Sequence, residues 1–79
     1  MDYDNWVEKA QERIKELDNN TRFYLKDLFK GFEWGELTAG DRRSFGKVFK
    51  NKVISGHIPH VRFLEKAANN SAVYKKEVF

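Results

Sequence analysis

The chain has 79 residues, enough for one small domain with one hydrophobic core. It contains no cysteine, which excludes disulfide bonds, thiol nucleophiles and thiolate metal sites. No apolar run approaches the roughly 20 residues of a membrane span, and the acidic start at Asp2 and Asp4 is unlike a signal peptide. We therefore expect a cytoplasmic protein with no membrane association.

The net charge of +3 is unevenly distributed along the chain. Residues 1–20 carry three basic and six acidic side chains, whereas residues 41–79 carry nine basic and three acidic ones. Positive charge concentrated in one part of a chain favours a polyanionic partner such as nucleic acid. The alternative is a mildly basic protein whose charge serves no specific partner.

The first predicted element is an amphipathic helix. It should begin near Asp4 or Asn5, because either side chain can cap a helix, and it should end at residues 18–20. Its outward positions mix acidic and basic side chains, as is typical of a solvated face. The apolar stripe consists of Trp6, Val7, Ala10, Ile14 and Leu17.

A short strand and a short helix are predicted next. Alternation over residues 21–25 indicates the strand, and residues 26–30 predict one helix that stops at Gly31. The rings of Phe32 and Trp34 follow in a loop or a second turn of helix, and we expect them to fill the core beneath a tight connection. A surface platform on which bases stack is the alternative role for these rings.

The chain is organised around a basic amphipathic helix predicted over residues 39–55. Thr38 and Asp41 have the spacing of a helix-capping pair, and Gly56 with Pro59 marks the end of the helix. An outer face without carboxylates is a candidate for the DNA major groove, whereas a merely solvated face usually mixes charges. The inner stripe is Phe45, Val48, Phe49, Lys52 through its methylene stem, and Val53. The outer face is Arg43, Ser44, Lys47, Lys50 and Asn51.

Gly46 lies inside this predicted helix, where glycine costs roughly 1 kcal/mol relative to alanine. Such a residue needs a physical reason. We expect close packing against another element, and the alternative is close approach of a phosphate backbone.

The end of the chain predicts a β-hairpin, with strands at residues 61–66 and 73–78 and a polar turn between them. The predicted fold is thus α+β, with three helices, a short strand and a C-terminal β-hairpin. This order is that of a small winged helix-turn-helix, and residues 1–79 should form one such domain. The connection over residues 31–40 is longer than the three or four residues usual in the motif.

Several segments resemble a family of short uncharacterised proteins, domain of unknown function 1413. They are residues 23–29 (FYLKDLF), Trp34, residues 40–49 (GDRRSFGKVF), the step Ile58-Pro59 and the Asn-rich hairpin tip, so the resemblance covers about residues 14–76. The resemblance implies one small domain in a Gram-positive bacterium, phage or mobile element. It implies no activity.

The sequence contains no pattern typical of an enzyme. It has no Gly-rich phosphate loop after a strand, no serine–histidine–acid arrangement and no paired carboxylates in an apolar setting. His57 and His60 lie three residues apart without a nearby cysteine or carboxylate, so we interpret them as loop residues rather than zinc ligands. We expect a protein that is not an enzyme and that uses no cofactor or metal.

The leading hypothesis is that the protein binds double-stranded DNA as a small bacterial or phage transcriptional regulator or accessory factor. The basic helix would enter the major groove, and the hairpin would lie along the backbone as a wing. Helix 1 is the predicted homodimer surface, through exposed parts of Trp6 or Val7. The predicted DNA-contacting residues are Arg42, Arg43, Ser44, Lys47, Lys50, Asn51, Arg62, Lys66 and Lys75.

The alternative hypothesis is a protein-interaction module on the same fold. A phage or mobile-element protein of this size can bind a host protein, for example as an inhibitor. The acidic first helix and the basic helix would then be the partner surfaces, because a fold does not determine its use.

Overall fold

Three α-helices and a three-stranded antiparallel sheet form the computed structural model, which describes residues 2–68 and 71–77. The predicted α+β class with three helices is therefore confirmed. Asn69 and Asn70 of the predicted turn, and Val78 at the end of the predicted last strand, lie outside the described residues. The elements are α1 (Tyr3–Lys15), β1 (Arg22–Tyr24), a 3-10 turn (Leu25–Leu28), α2 (Gly31–Gly35), α3 (Ala39–Ile54), β2 (Val61–Lys66) and β3 (Ala72–Lys76).

The strand order in the sheet is β1-β3-β2, so β3 lies in the centre. Phe23 of β1 and Phe63 of β2 both lie opposite Tyr74 of β3. Residues that face each other across strands point to the same side of a sheet, and the three rings therefore share the face that packs on α3. The predicted short strand and hairpin are both present, and the structure joins them in one sheet.

α3 supplies the centre of the core because its apolar stripe contacts two groups of aromatic rings. Phe45 packs edge-on against Phe29, with ring centroids 5.8 Å apart, and Phe49 packs against Tyr74 at 5.0 Å. Phe45 and Phe49 are completely buried. The buried core consists of Val7, Ala10, Ile14, Phe23, Leu25, Leu28, Phe29, Phe45, Phe49, Val53, Ile58 and Tyr74.

The ends of the two long helices follow from their capping residues. α1 begins earlier than expected because the side chain of Asp2 accepts a hydrogen bond from the Asn5 amide, at 3.2 Å. The predicted cap of α3 is confirmed, since Thr38 Oγ1 accepts from the Asp41 amide at 3.0 Å. The predicted C-terminal glycine is also confirmed, as Gly56 has φ +83°. Among the described residues, no helix is both long and apolar enough to cross a bilayer.

The short helix predicted over residues 26–30 is a 3-10 turn, Leu25–Leu28, and of the two alternatives for the residues after it the structure has the second turn of helix. Gly31 begins that second turn. Each turn has its own carboxylate cap: Asp27 accepts from the Tyr24 amide at 2.9 Å, and Glu33 accepts from the Lys30 amide at 3.0 Å. Two caps six residues apart divide the segment into two turns rather than one helix.

The prediction that both rings of α2 fill the core is half wrong. Trp34 stacks on Phe29 with centroids 6.0 Å apart, but 67% of the Phe32 surface is exposed. Residues two apart on a helix point to nearly opposite sides, so a single turn can direct only one of the two rings inward.

On α1, Val7 is buried, and the predicted dimer surface therefore loses one of its two named residues.

Candidate nucleic-acid interface

An open groove of about 940 Å³ runs between α3 and the neighbouring strands. One wall is α3, and the other is formed by residues 24–26, Trp34 and the end of the hairpin. Among the described residues that line it, six are cations and none is a carboxylate. Like charges that line a concave surface focus the electrostatic potential there, so the groove attracts anions. The six cations are Lys26, Arg42, Arg43, Lys47, Lys50 and Lys66.

The outer edge of α3 is open to solvent and cationic, as its spacing predicts. Arg43, Ser44, Lys47 and Asn51 are all exposed. No ion pair between described residues involves Arg43 or Lys47. Their charges are therefore not neutralised by a neighbouring carboxylate in the described part of the chain.

Lys50 lies where α3 meets β2. Its Nζ atom is 4.5 Å from the centre of the Phe63 ring, a distance typical of a cation–π contact. The side chain is half-buried. This contact orients the ammonium group within the groove without neutralising it.

Arg42 has a structural role in addition to its place in the groove. Its Nε donates to the carbonyl of Trp34 at 3.2 Å, and its Nη2 donates to the carbonyl of Gly35 at 3.4 Å. These carbonyls belong to the last residues of α2, so the guanidinium satisfies the end of that short helix and ties it to α3. Only the remaining N–H groups of Arg42 are available to a ligand.

Two of the predicted DNA-contacting residues lie on the other side of the sheet. Arg62 and Lys75 precede and follow the inward-facing rings of Phe63 and Tyr74, and successive strand residues point to opposite faces. Arg62 also pairs with Glu77 at 3.7 Å. Lys66 by contrast lies opposite Ala72 beyond an irregularity in β2, and both residues line the groove. The nine predicted residues are thus divided between two surfaces.

Lys26 is the groove cation that the sequence analysis did not assign to the site. It follows β1 directly and lies in the 3-10 turn, where its Nζ atom is 5.7 Å from the centre of the Tyr24 ring. The pairing of β1 with β3 places this turn beside the groove. No local pattern in the sequence could have revealed that pairing.

The expected reason for Gly46, tight packing against another element, is wrong. A Cβ atom built on Gly46 has no neighbouring atom within 4 Å. The residue is half-buried and lines the groove, where that groove meets the buried stripe of α3. The conformation and packing of the helix would tolerate a Cβ atom at this position.

Two ionisable groups near the groove have shifted pKa values. The hydrogen bond from Arg13, together with the bond from the Lys30 amide, lowers the pKa of Glu33 below its ordinary value. Burial raises the pKa of Tyr74 to about 12. Glu33 holds α2 through its bonds to Arg13 and the Lys30 amide, and Tyr74 lies at the base of the groove, so both groups support the walls of the groove.

The two histidines occupy the loop after α3. His57 Nδ1 is 2.6 Å from Ser55 Oγ, and the backbone of His60 is left-handed with φ +66°. Within residues 2–68 and 71–77 no three histidine, aspartate or glutamate residues form a cluster that could hold a metal ion.

The chain was compared with known proteins and with known families. No curated protein and no solved structure matches it. A profile of the family described as "Domain of unknown function (DUF1413)" matches residues 8–76, which include α2, α3, all three strands and most of α1. The chain therefore belongs to the DUF1413 family.

Proposed function

We propose that this protein binds double-stranded DNA as a small winged helix-turn-helix domain. The order of elements and the sheet order β1-β3-β2 support this proposal, with α2 and α3 as the helix pair and the β2–β3 hairpin as the wing. The observation that carries it is the groove lined by six cations and no carboxylate among the described residues. Duplex DNA is the partner whose regular phosphates best match such a surface.

In the proposed complex, α3 enters the major groove along its exposed edge. Arg43 and Lys47 can bind guanine or phosphate, and Asn51 can pair with adenine. One sugar–phosphate strand would lie in the groove between α3 and the hairpin, against Lys50 and Lys66. A winged helix of this size reads few base pairs, so target specificity requires a dimer or a larger complex. For a dimer, α1 offers the half-buried Trp6.

The test is a charge reversal on α3, Arg43→Glu with Lys47→Glu, both at exposed positions. With about five phosphate contacts, log affinity of the natural protein should fall against log salt with a slope of roughly −4 to −5. The variant should bind generic duplex at least about 100-fold more weakly at low salt, with a slope shallower by about two. Gel shift or fluorescence anisotropy over a salt series measures both quantities.

A matched control reverses two cations outside the groove, Lys9→Glu with Lys30→Glu, which gives the same net charge. This control should bind nearly as the natural protein does, and circular dichroism should show both variants folded. Equal losses in the two variants would mean that net charge alone drives binding. Absence of binding by the natural protein at about 50 mM salt would end the DNA proposal.

A second candidate function is a protein-interaction module, such as an inhibitor of a host protein. The exposed ring of Phe32 on α2 favours it, because 67% of that side chain is in contact with solvent and large exposed rings are enriched at protein interfaces. Phe32→Ser should abolish such binding and leave duplex binding unchanged. Loss of duplex binding in Phe32→Ser would instead place α2 in the DNA interface.

A further inference from the structure

Gly46 weakens α3, and the fold does not require it. It lies in the interior of a helix of 16 residues, where glycine is unfavourable. Its backbone is helical, and a Cβ atom built on it would meet no atom within 4 Å beyond the backbone of α3 itself. Neither a special backbone conformation nor close packing accounts for the residue. A local rule that is broken without a structural reason commonly marks a functional position.

The surroundings of Gly46 are cationic. Arg42 and Lys50 lie one helical turn before and after it, and Arg43 and Lys47 lie beside it on the same helix, so all four neighbours line the groove. The result is a half-buried stretch of helix backbone that carries no side chain and is flanked by four positive charges. This arrangement suits an anionic group that must come closer to the helix axis than any side chain would permit.

We propose that Gly46 is the point at which a phosphodiester of the DNA backbone touches α3. This inference rests on the proposed function and adds the position of one DNA strand. With no side chain at Gly46, the sugar–phosphate strand reaches the helix surface, and Lys47 and Lys50 contact its oxygens. Glycine presents no group that distinguishes bases, so the contact positions the duplex without reading its sequence.

The test fills the space step by step with Gly46→Ala and Gly46→Gln, which leave the net charge unchanged. Loss of a close backbone contact should weaken duplex binding about fivefold for alanine and at least about 20-fold for glutamine. The loss should be equal for unrelated duplex sequences. Thermal unfolding should show that both variants are at least as stable as the natural protein, because both residues favour helix.

The matched control is Gly40, in the first turn of the same helix and outside the groove. A Cβ on Gly40 meets only Thr38 Oγ1, at an ordinary 3.8 Å. Gly40→Ala and Gly40→Gln should change duplex affinity by less than about twofold, because no phosphate contact is lost.

Unchanged duplex binding in the Gly46 variants would overturn the proposed phosphate contact at Gly46. The proposed function would survive that result if the double variant Arg43→Glu with Lys47→Glu still lost duplex binding. A loss confined to particular sequences would also overturn the proposed phosphate contact, because that result indicates contact with base edges. If the natural protein bound no duplex at all, both proposals would fail together.

Discussion

Arg13 connects three elements through a single guanidinium group. Its Nη1 donates to the Leu28 carbonyl at 2.8 Å, and its two terminal nitrogens contact the Glu33 carboxylate at 2.9 and 3.2 Å. The guanidinium also lies 5.2 Å from the centre of the Phe29 ring. α1, the 3-10 turn and α2 are thereby fixed together, and Trp34 of α2 is held at the edge of the groove.

Glu33→Gln should lower the free energy of unfolding by about 1–2 kcal/mol at neutral pH, because it removes charge-assisted hydrogen bonds. The folded pKa of Glu33 lies below its ordinary 4.5, so its contribution is present above that ordinary value. The contribution is lost as pH falls through the folded value. Urea titrations at pH 7 and pH 3 measure the change.

The difference between natural protein and variant should shrink at the lower pH. Glu36→Gln, at an exposed position just after α2, should show little difference at either pH. A Glu33→Gln effect that stays constant over this range would contradict the role of the charged pair.

Tyr74 should have the opposite effect on stability, which we expect to be lost as pH rises rather than as it falls. Its folded pKa of about 12 lies above the ordinary 10.0, so the phenol stabilises the fold fully below pH 10. Stability should decline as pH rises from there through about 12, because the unfolded chain ionises more readily. Thermal unfolding of the natural protein and of Tyr74→Phe should be measured over this pH range. The stability of the variant should decline less than that of the natural protein. Equal declines would show that other groups are responsible.

At the scale of elements, helical spacing predicts α3 well and the segment before it poorly. The recurrence of Phe45, Phe49 and Val53 fixes which face is buried, and Thr38 marks where the helix begins. Residues 25–35 lack such periodicity. Their structure depends on Glu33 reaching both Lys30 and Arg13, and the partner on α1 is 20 residues away. The bond from the Lys30 amide spans three residues and could be found in the sequence, whereas the pair with Arg13 spans 20 residues and could not.

Thr38→Ala should destabilise the protein by about 1 kcal/mol, because the Asp41 amide at the start of α3 loses its acceptor. Thr38→Ser keeps the hydroxyl and should retain most of that stability. Chemical denaturation of both variants makes the comparison. Equal destabilisation by serine and alanine would mean that the methyl group of threonine, not its hydrogen bond, is what matters.

At the scale of the whole molecule, the positions of the strands could be predicted from the sequence. The prediction did not separate the cations of the groove from Arg62 and Lys75, which lie on the outer face of the sheet. Arg62 adjoins Phe63, and Lys75 adjoins Tyr74, so the period of two residues already indicates that both cations face away from α3. That signal was available in the sequence. The attachment of β1 to β3 was not, because it is an antiparallel strand pairing between segments about 50 residues apart, which no local pattern indicates.

The outer face of the sheet carries like charges whose effect on stability can be tested. Lys75 lies directly between Arg22 and Arg62 in the strand register, and like charges in opposed positions are unfavourable. Lys75→Glu should raise the free energy of unfolding by about 0.5 kcal/mol, and Lys75→Gln by less. Duplex affinity should fall far less than with Arg43→Glu and Lys47→Glu. An equally large fall would show that the DNA contacts this face too.

The central place of β3 has a consequence for how the protein is made. Within residues 2–68 and 71–77, the strand partner of both β1 and β2 is β3, which follows both of them in the chain. While the ribosome is still adding residues before Ala72, neither earlier strand has a partner, and Phe23 and Phe63 have no Tyr74 to pack on. The nascent chain can form its helices early, since their contacts are local, but the sheet must wait until almost the whole domain has been synthesised.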